Sequence, residues 1–176
     1  MAVTVDNVTP DEFREGMSRL SAAVNVITTD GAAGRCGFTA SSVCSVTDDP
    51  PTLLICLNRR SEMNAVFKRN HVFCINTLAA DHEQLSKSFA GFENVSMEER
   101  FRRDRWTTLV TGAPVLATSL VSFDCRLIEA KEVGTHTVMF GVVQAVSLRP
   151  HAPALVYVNR GYQSVDMTED DRGDGE

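Results

Sequence analysis

Residues 23–47 decide the fold of this chain, and they read AVNVITTDGAAGRCGFTASSVCSVT. Residues 23–29 are rich in β-branched side chains and predict a strand. Residues 30–34 predict a turn, and residues 37–47 predict the strand that returns. The glycine spacing is G-x-x-G-x-x-G and a strand follows it, whereas a dinucleotide-binding loop needs G-x-G-x-x-G followed by a helix. This segment is therefore predicted to be a β-hairpin.

Strands are predicted along most of the remaining chain. They lie at residues 53–57, 71–78, 121–127, 137–148 and 155–158, whereas residues 106–118 are predicted to be irregular. These strands do not alternate with helices as βαβ units. Long antiparallel runs with glycine at their bends predict an α+β fold, mainly β, built as a closed or half-closed barrel with peripheral helices.

Three or four helices are predicted around the barrel. Thr9-x-x-Glu12 and Ser96-x-x-Glu99 are capping boxes that mark two helix starts. Two further helices are predicted to begin near Ser61 and to span residues 81–89. The first helix places Phe13, Met17 and Leu20 on one apolar face, since these residues follow one another at helical spacing.

The composition is typical of one soluble domain. The chain has 176 residues, 43% of them hydrophobic and 23% charged, and a domain takes roughly 100–200 residues. Its net charge is -6, and residues 167–176 hold five acids against one base. We therefore predict a domain over residues 1–166 and a disordered acidic tail over residues 167–176. The near-neutral domain lacks the basic surface that nucleic-acid binding requires.

The cysteines and the N-terminus predict a cytoplasmic protein. Five cysteines form an odd set without a C-x-x-C pair and lie mostly among apolar neighbours, which is typical of a reducing compartment. The N-terminal residues are acidic where a signal peptide needs positive charge, and no run reaches the roughly 18 apolar residues of a membrane span. The histidines and cysteines show no ligand spacing, so no metal site is predicted.

Three short segments carry the candidate site residues, and each has an ordinary alternative. Thr39-Ala40-Ser41-Ser42 is a hydroxyl-rich patch that either faces solvent on alternate residues or contacts a planar polar ligand. Asn58-Arg59-Arg60-Ser61 joins a strand end to a helix start, as a phosphate site or as a capped helix with solvent-facing arginines. Gly134-Thr135-His136 places a histidine at a turn, where most histidines are solvated bystanders.

Taken in order, these segments resemble one known family. The resemblance is carried by Phe13-Arg14-x-x-Met17, AAVNVITT at 22–29, GFTASSVCSV at 37–46, PPTLLICLN at 50–58, FCINTL at 73–78 and Gly134-Thr135-His136. The chain resembles the small flavin reductases that supply reduced flavin to two-component monooxygenases, such as the reductase component of 4-hydroxyphenylacetate 3-monooxygenase. Within that family it is most similar to the pyrimidine-utilisation (Rut) branch, and the similarity runs from Phe13 to Tyr162.

The resemblance implies a fold, an activity and a set of partners. It implies an FMN-binding split β-barrel, a homodimer with flavin near the subunit interface, and NADH as hydride donor to FMN or FAD. A separate flavin-dependent monooxygenase would receive the reduced flavin. The implied flavin-binding residues are Thr39, Ala40, Ser41, Ser42, Asn58, Arg59, Ser61, Asn76, Thr77, Ser86, Ser88, Phe89 and Tyr162. Among these, Asn58, Arg59 and Ser61 would lie near the ribityl phosphate, and Asn76 and Thr77 would face the ring.

His136 matches the family histidine at the nicotinamide site and is the implied catalytic residue. Thr135 stands where the commoner form of the family has an acidic residue, so no nicotinamide role transfers to that position. Hydride transfer between two cofactors needs no protein nucleophile, which agrees with the absence of a recognisable triad. Two alternatives remain: a bound-flavin enzyme acting on another substrate, and a flavin- or haem-binding split-barrel module without turnover.

Overall fold

The fold is built mainly from strands, in a computed structural model that describes residues 8–149 and 152–166. The predicted acidic tail at 167–176 lies outside the described residues. The strands are β1 Ala22–Ala23, β2 Asn25–Thr29, β3 Cys36–Ala40, β4 Val43–Asp48, β5 Pro51–Asn58, β6 Val72–Thr77, β7 Trp106–Thr108, β8 Pro114–Leu116, β9 Val121–Val133, β10 His136–Leu148, β11 Ala154–Val158 and β12 Gly161–Val165. The helices are α1 Pro10–Ser18, α2 Met63–Asn70, α3 Glu83–Phe89 and α4 Met97–Arg102, and a 3-10 turn at Ala80–His82 precedes α3.

Seven strands form one antiparallel sheet in the order β3-β2-β6-β9-β10-β5-β4. β3 and β4 are consecutive in the chain, yet they lie at the two opposite edges of this sheet. Only Ser41 and Ser42 separate them, so the sheet curls until its edges approach each other. No ladder joins β3 to β4 among the described residues, and we call this open line between the two strands the seam. The molecule is therefore a split barrel.

The seam corrects the predicted hairpin. The sequence predicts one returning strand over residues 37–47, whereas the structure has two strands that change partner at Ser41 and Ser42. β3 pairs with β2, as the predicted hairpin requires, and β4 pairs with β5 instead. The backbone N–H of Val43 donates to the carbonyl of Ser41 over 3.0 Å, which turns the chain at this point. Strand propensity reports an extended backbone but not its partner, so this change is invisible in the local pattern.

Two smaller sheets complete the fold. One has the order β1-β11-β12 and the other pairs β7 with β8. The sequence missed β12, which follows β11 through a two-residue turn at Asn159 and Arg160. Both residues have positive φ, 49° and 58°, as tight hairpin turns require. It also predicted residues 106–118 to be irregular, where β7 and β8 form a short hairpin.

The barrel interior is apolar and closely packed. Ile27, Ile55 and Met139 are fully buried there, and Phe67 of α2 packs against them. Gly141 on β10 has no room for a side chain, because a Cβ at this position would overlap the ring of Phe73. Glycine therefore occupies this position in a long strand because the ring of Phe73 packs against the backbone, and not because the chain turns here.

Helix α1 lies outside the barrel. Its predicted capping box is present, since Thr9 Oγ1 accepts from the backbone N–H of Glu12 over 3.2 Å. The predicted apolar face is exposed rather than packed, with Phe13 62% and Leu20 59% accessible. The helix is held by polar contacts with the β11–β12 turn, including a 2.6 Å ion pair between Glu15 and Arg160. Among the described residues, no helix is long and apolar enough to cross a membrane.

Candidate functional site

The first group of predicted site residues lines a small pocket beside the seam. This seam pocket has a volume of about 190 Å³. Its walls are mostly apolar and aromatic, with hydroxyl groups from the end of β3. The lining residues are Val24, Thr39, Ala40, Ser41, Ala90, Phe92, Tyr157 and Tyr162. The predicted residues Thr39, Ala40, Ser41 and Tyr162 are thus brought together, although 120 positions separate the first three from the last.

Neutral hydrogen bonds fix the wall of the seam pocket. Thr39 Oγ1 donates to the carbonyl of Ser86 over 2.6 Å, and Ser86 Oγ is 2.9 Å from the hydroxyl of Tyr162. Thr77 Oγ1 donates over 2.8 Å to Asn25 Oδ1, and the amide of Asn25 donates to the carbonyl of Ala40 over 3.3 Å. Ser86 and Thr77 therefore support the wall through hydrogen bonds, and the contact of each with flavin stays a prediction.

The second group lies in a larger cleft between the end of β5, the start of α2 and the β9–β10 turn. We call it the basic cleft, and its volume is about 670 Å³. Three cations and two carboxylates line it together with small polar groups. The lining residues are Arg59, Arg60, Ser61, Glu62, Asn64, Ala65, Lys68, Glu132, Gly134 and Thr135.

Asparagine side chains shape the loop that carries Arg59 and Ser61. Asn58 Oδ1 accepts from the backbone N–H of Arg60 over 2.9 Å, so the chain turns directly after β5. Asn64 is buried, and its amide donates to Thr137 Oγ1 on β10 over 3.0 Å. The backbone N–H of Arg59 donates to the carbonyl of Thr135 over 3.0 Å. The loop and the β9–β10 turn are thus fixed to each other on opposite sides of the cleft.

The charges of the basic cleft are already partly paired. Glu132 at the end of β9 accepts from Arg59 Nη2 over 2.7 Å and from Lys68 Nζ over 3.2 Å. Arg59 and Glu132 are each about half exposed, at 48% and 49% of the side chain. Pairs this exposed contribute only about 0–1 kcal/mol to stability. The cleft can therefore exchange these contacts for others without a large effect on the fold.

His136 lies at the first position of β10, directly opposite Asn58 of β5. Its side chain is exposed, and Nδ1 is 2.9 Å from Thr135 Oγ1. This contact limits the rotation of the ring. Thr135, rather than His136, lines the basic cleft, so the histidine lies at its border.

Ser42 connects the seam pocket to the basic cleft. Its hydroxyl donates to the carbonyl of Cys56 over 3.4 Å. Cys56 precedes Asn58 by two residues on β5, which is roughly 7 Å of extended chain. Ser42 therefore follows Ser41 of the seam pocket in the chain and contacts the strand that leads into the basic cleft.

Three predicted flavin-binding residues lie elsewhere. Asn76, predicted to face the ring, is fully buried between β2, β8 and β9. Its amide donates to the carbonyl of Val26 over 3.0 Å, and its Oδ1 accepts from Leu116 N and Ser122 Oγ, each over 2.8 Å. Since both ends of the amide are occupied by protein groups, Asn76 has no free position for a ligand.

Ser88 and Phe89 also belong to the interior. Phe89 is 2% exposed and packs edge-to-face against Phe101 and Trp106, at centroid distances of 5.2 and 5.8 Å. Ser88 is fully buried, and its hydroxyl has no hydrogen-bond partner among the described residues. α3 thus turns both side chains into the interior, and their contact with flavin stays a prediction.

The sequence also missed residues that the structure adds to the site. Phe92 and Tyr157 line the seam pocket, and Lys68 and Glu132 line the basic cleft. Lys68 lies four residues beyond Asn64, which is about one helical turn and places the two on the same side of the helix, and this was a usable signal. Glu132 and Tyr157 reach the site only through strand pairing, for which the local sequence has no signal.

Buried thiols take no part in this chemistry. Burial, reinforced by Asp30, raises the pKa of the Cys36 thiol to about 11. Burial, reinforced by Asp124, raises that of Cys125 to about 12. Both thiols therefore stay protonated at neutral pH and are poor nucleophiles. The polar groups available for chemistry are those of the seam pocket and the basic cleft.

Comparison with known families agrees with this arrangement. The family model described as flavin reductase like domain matches residues 17–166. The chain therefore belongs to the flavin reductase family, and the family predicted from the sequence is confirmed. Many curated relatives, at about half identity, carry the name FMN reductase (NADH) RutF. One of these, from Bradyrhizobium diazoefficiens, is 48% identical over 169 residues, which cover 96% of this chain and 93% of the relative.

Solved structures confirm the split barrel with peripheral helices. A crystal structure from Haemophilus somnus 129PT, assigned to the flavin reductases, is 45% identical with a TM-score of 0.86, and the match covers 90% of this chain and 100% of the other. BorF, the flavin reductase component of a bacterial two-component tryptophan halogenase, is 26% identical with a TM-score of 0.83. That match covers 91% of this chain and 100% of BorF.

Proposed function

We propose that this protein is an NADH-dependent flavin reductase that reduces FMN, or FAD, and releases the reduced flavin to a separate monooxygenase. The names of its full-length relatives and its family membership support this activity. The observation that carries the proposal is the adjacency of the seam pocket and the basic cleft. The seam pocket offers apolar and hydroxyl contacts, and the basic cleft offers cations. Ser42, next to Ser41 of the seam pocket, donates to the carbonyl of Cys56 on the strand that leads into the cleft.

The residues present fit FMN. A phosphate needs cations and N–H donors, and the basic cleft supplies Arg59, Arg60 and Lys68 beside the first turn of α2. Glu62, which precedes that helix, makes no capping hydrogen bond with its side chain, so the N–H groups of the first turn are not capped by it. The planar ring of a flavin suits the aromatic and hydroxyl walls of the seam pocket.

The protein's part in the reaction is binding and orientation. A flavin held here would supply the hydride acceptor and NADH the hydride, so the two cofactors would carry the chemistry. Ser41 would donate its hydroxyl proton to a polar edge of the ring, while Thr39 donates to the carbonyl of Ser86 and keeps that wall in one geometry. Groups fixed before the reaction stabilise developing charge without reorganisation at the moment of transfer. The aromatic residues Tyr157 and Tyr162 line the same pocket and offer their rings for contact with the flavin.

His136 is proposed to position the nicotinamide rather than to transfer a proton. It lies at the border of the basic cleft, its ring is restrained by Thr135, and it is exposed to an incoming ligand. Because a hydride moves without a proton from the protein, His136→Asn is expected to act by loosening NADH. The KM for NADH would rise while the affinity for FMN stays unchanged. An unchanged KM and kcat would remove this assignment.

A homodimer is proposed to form through the outer face of β5 and β10. On this face Val138 lies opposite Cys56 and Phe140 lies opposite Leu54, and all four are half-buried. The alternate residue Ile55 points into the barrel, so the four apolar side chains share the outside. A sheet face that meets water is normally polar, and this face is apolar. A second copy of the chain is the proposed occupant, since the face borders the site through the carbonyl of Cys56.

The dimer is tested by molecular mass in solution. Phe140→Asp is expected to convert a dimer to a monomer, because it introduces a charge into the apolar face. Gln144→Asp is the control, since Gln144 lies on the same strand but is exposed. Light scattering after gel filtration gives the mass of each variant. A monomeric parent protein, or equal dissociation in both variants, would contradict the proposal.

The activity is tested by measuring the oxidation of NADH. The protein is proposed to act in the cytoplasm, where NADH and the oxygenase partner would be available. Oxidation of NADH is measured in air with no flavin, with FMN and with FAD, and again with NADPH. The proposal expects oxidation that rises with added FMN. Turnover without added flavin would favour a bound-flavin enzyme, and flavin or haem binding without turnover would favour a binding module.

A further inference from the structure

We infer that Glu132 is a built-in competitor for the flavin phosphate that weakens FMN binding and so favours release of the reduced product. The inference rests on the proposed function and concerns the basic cleft alone. Glu132 bridges the two cations Arg59 and Lys68, at 2.7 and 3.2 Å. A phosphate that enters the cleft must share or replace these contacts.

The geometry makes Glu132 an anion that occupies the phosphate position. Its carboxylate contacts two different elements, the loop after β5 and the last turn of α2. Arg59 is held from behind as well, because its Nη1 donates to the carbonyl of Gly134 over 3.3 Å. The guanidinium is therefore oriented toward the cleft, and its contact with Glu132 is the one that a phosphate can replace.

The charge count of the cleft leads to the same conclusion. Its lining has three cations against Glu62 and Glu132, which leaves a formal charge of only +1. Removal of one carboxylate charge would double that charge. The Arg59–Glu132 pair is half exposed, so its loss costs little folding stability, while an arriving dianion would gain two unpaired cations.

A weaker phosphate site suits an enzyme whose product must leave. Affinity differences among closely related complexes arise mostly from dissociation rates. A carboxylate that recaptures Arg59 and Lys68 as the phosphate departs would speed that step. Glu132 is thus a specificity-determining residue that acts on the phosphate and not on the ring.

The test compares FMN with riboflavin, which has the same ring and no phosphate. Dissociation constants for both oxidised flavins are measured by fluorescence quenching on the parent protein and on Glu132→Gln. The FMN constant is expected to fall about fivefold to tenfold, with slower FMN release in stopped flow, and the riboflavin constant to stay within about twofold. In about 0.5 M salt the FMN difference should shrink, since exposed charges are screened.

Glu62→Gln is the matched control. Glu62 lines the same cleft but forms no ion pair among the described residues, so its FMN effect should be clearly smaller than that of Glu132→Gln. Equal effects from both variants would show a general charge effect and overturn the inference. Unchanged or weaker FMN binding in Glu132→Gln would also overturn it. If the parent protein binds neither flavin, the proposed function fails instead.

Discussion

The polar interior around Asn76 and the basic cleft around Arg59 are both built from hydrogen-bonding side chains, and the protein uses them in opposite ways. Asn76 is fully buried, and its amide is occupied at both ends by protein groups. Arg59 is half exposed and shares an exposed carboxylate with Lys68. A saturated neutral network has nothing to offer a ligand and can only stabilise the fold. An exposed network of charged side chains contributes little to the stability of the fold, and its members can exchange their contacts for contacts with a ligand.

The largest expected effect is on the buried network. Asn76→Leu removes an amide that serves Val26, Leu116 and Ser122, and it leaves their buried polar groups unpaired. The free energy of unfolding should fall by about 3 kcal/mol. Urea unfolding followed by circular dichroism measures it. Full stability together with weakened flavin binding would show that Asn76 contacts the ligand after all.

The matching change in the cleft is Arg59→Gln. Loss of the guanidinium should raise the FMN dissociation constant about tenfold, because a charge-assisted contact with the phosphate is lost. Riboflavin affinity and the urea midpoint should stay close to those of the parent protein. A destabilised Arg59→Gln with equal losses for both flavins would mean that the cleft is part of the fold rather than a phosphate site.

Asn76 and Arg59 also show which features of the structure the sequence can predict and which it cannot. Local patterns predict the capping boxes at Thr9 and Ser96, and the structure contains both. They also predict a hairpin over residues 23–47, of which the structure contains the pairing of β2 with β3 but not a single returning strand. Asn76 lies in an apolar strand, and nothing local tells whether its amide meets a ligand or the protein interior. Glu132 is 73 positions from Arg59, so their contact depends on strand register.

The structure brings some of the residues implied by the resemblance together, and it separates others. It brings Thr39, Ser41 and Tyr162 to one pocket and Arg59 and Ser61 to one cleft. The resemblance did not distinguish Ser86, behind the pocket wall, from Ser88, which points into the core. Neighbouring helical positions differ by about 100°, so a family stretch fixes the helix but not which residues reach a ligand.

A smaller effect is expected where the seam pocket meets β12. Tyr162→Phe removes the hydroxyl that contacts Ser86 Oγ over 2.9 Å. Both FMN and riboflavin should bind about fivefold more weakly, since the loss concerns the ring and costs about 1 kcal/mol. The effect should not depend on salt. A loss confined to FMN would place Tyr162 at the phosphate instead.

His82 is a buried polar residue like Asn76, and its contribution to the stability of the fold should depend on pH. It is 6% exposed; its Nδ1 accepts from the backbone N–H of Ala79, and its Nε2 contacts Thr118. Desolvation lowers its pKa, against the opposing effect of Asp81 and Asp104, while Arg149 lowers it further. The unfolded chain therefore takes up a proton more readily than the folded protein.

The ordinary pKa of histidine is 6.5, and the stability that depends on neutral His82 should be fully present above that pH. This stability should be lost as the pH falls below 6.5 and passes through the lower pKa of His82 in the folded protein. The urea midpoint of the parent protein, measured from pH 7 to pH 5, should fall more steeply than that of His82→Gln. Identical slopes would show that other groups control acid stability.

The smallest effect is expected from the tail. Deletion of residues 167–176 removes a net charge of -4. Its influence on FMN binding should stay below about twofold at physiological salt, because charges beyond about 8 Å are screened. Steady-state NADH oxidation on the truncated and full chains measures this. A large loss of activity after truncation at Asp166 would assign the tail a role in the site.

The central claim is that the protein passes hydride from NADH to FMN and then lets the reduced flavin go. The most direct measurement mixes NADH with a large excess of FMN over protein without oxygen, and then filters the solution through a membrane that retains the protein. The account predicts that many equivalents of FMN are reduced per protein and that reduced flavin appears in the filtrate. Reduction that stops at one equivalent and stays with the protein, or no reduction at all, would contradict it.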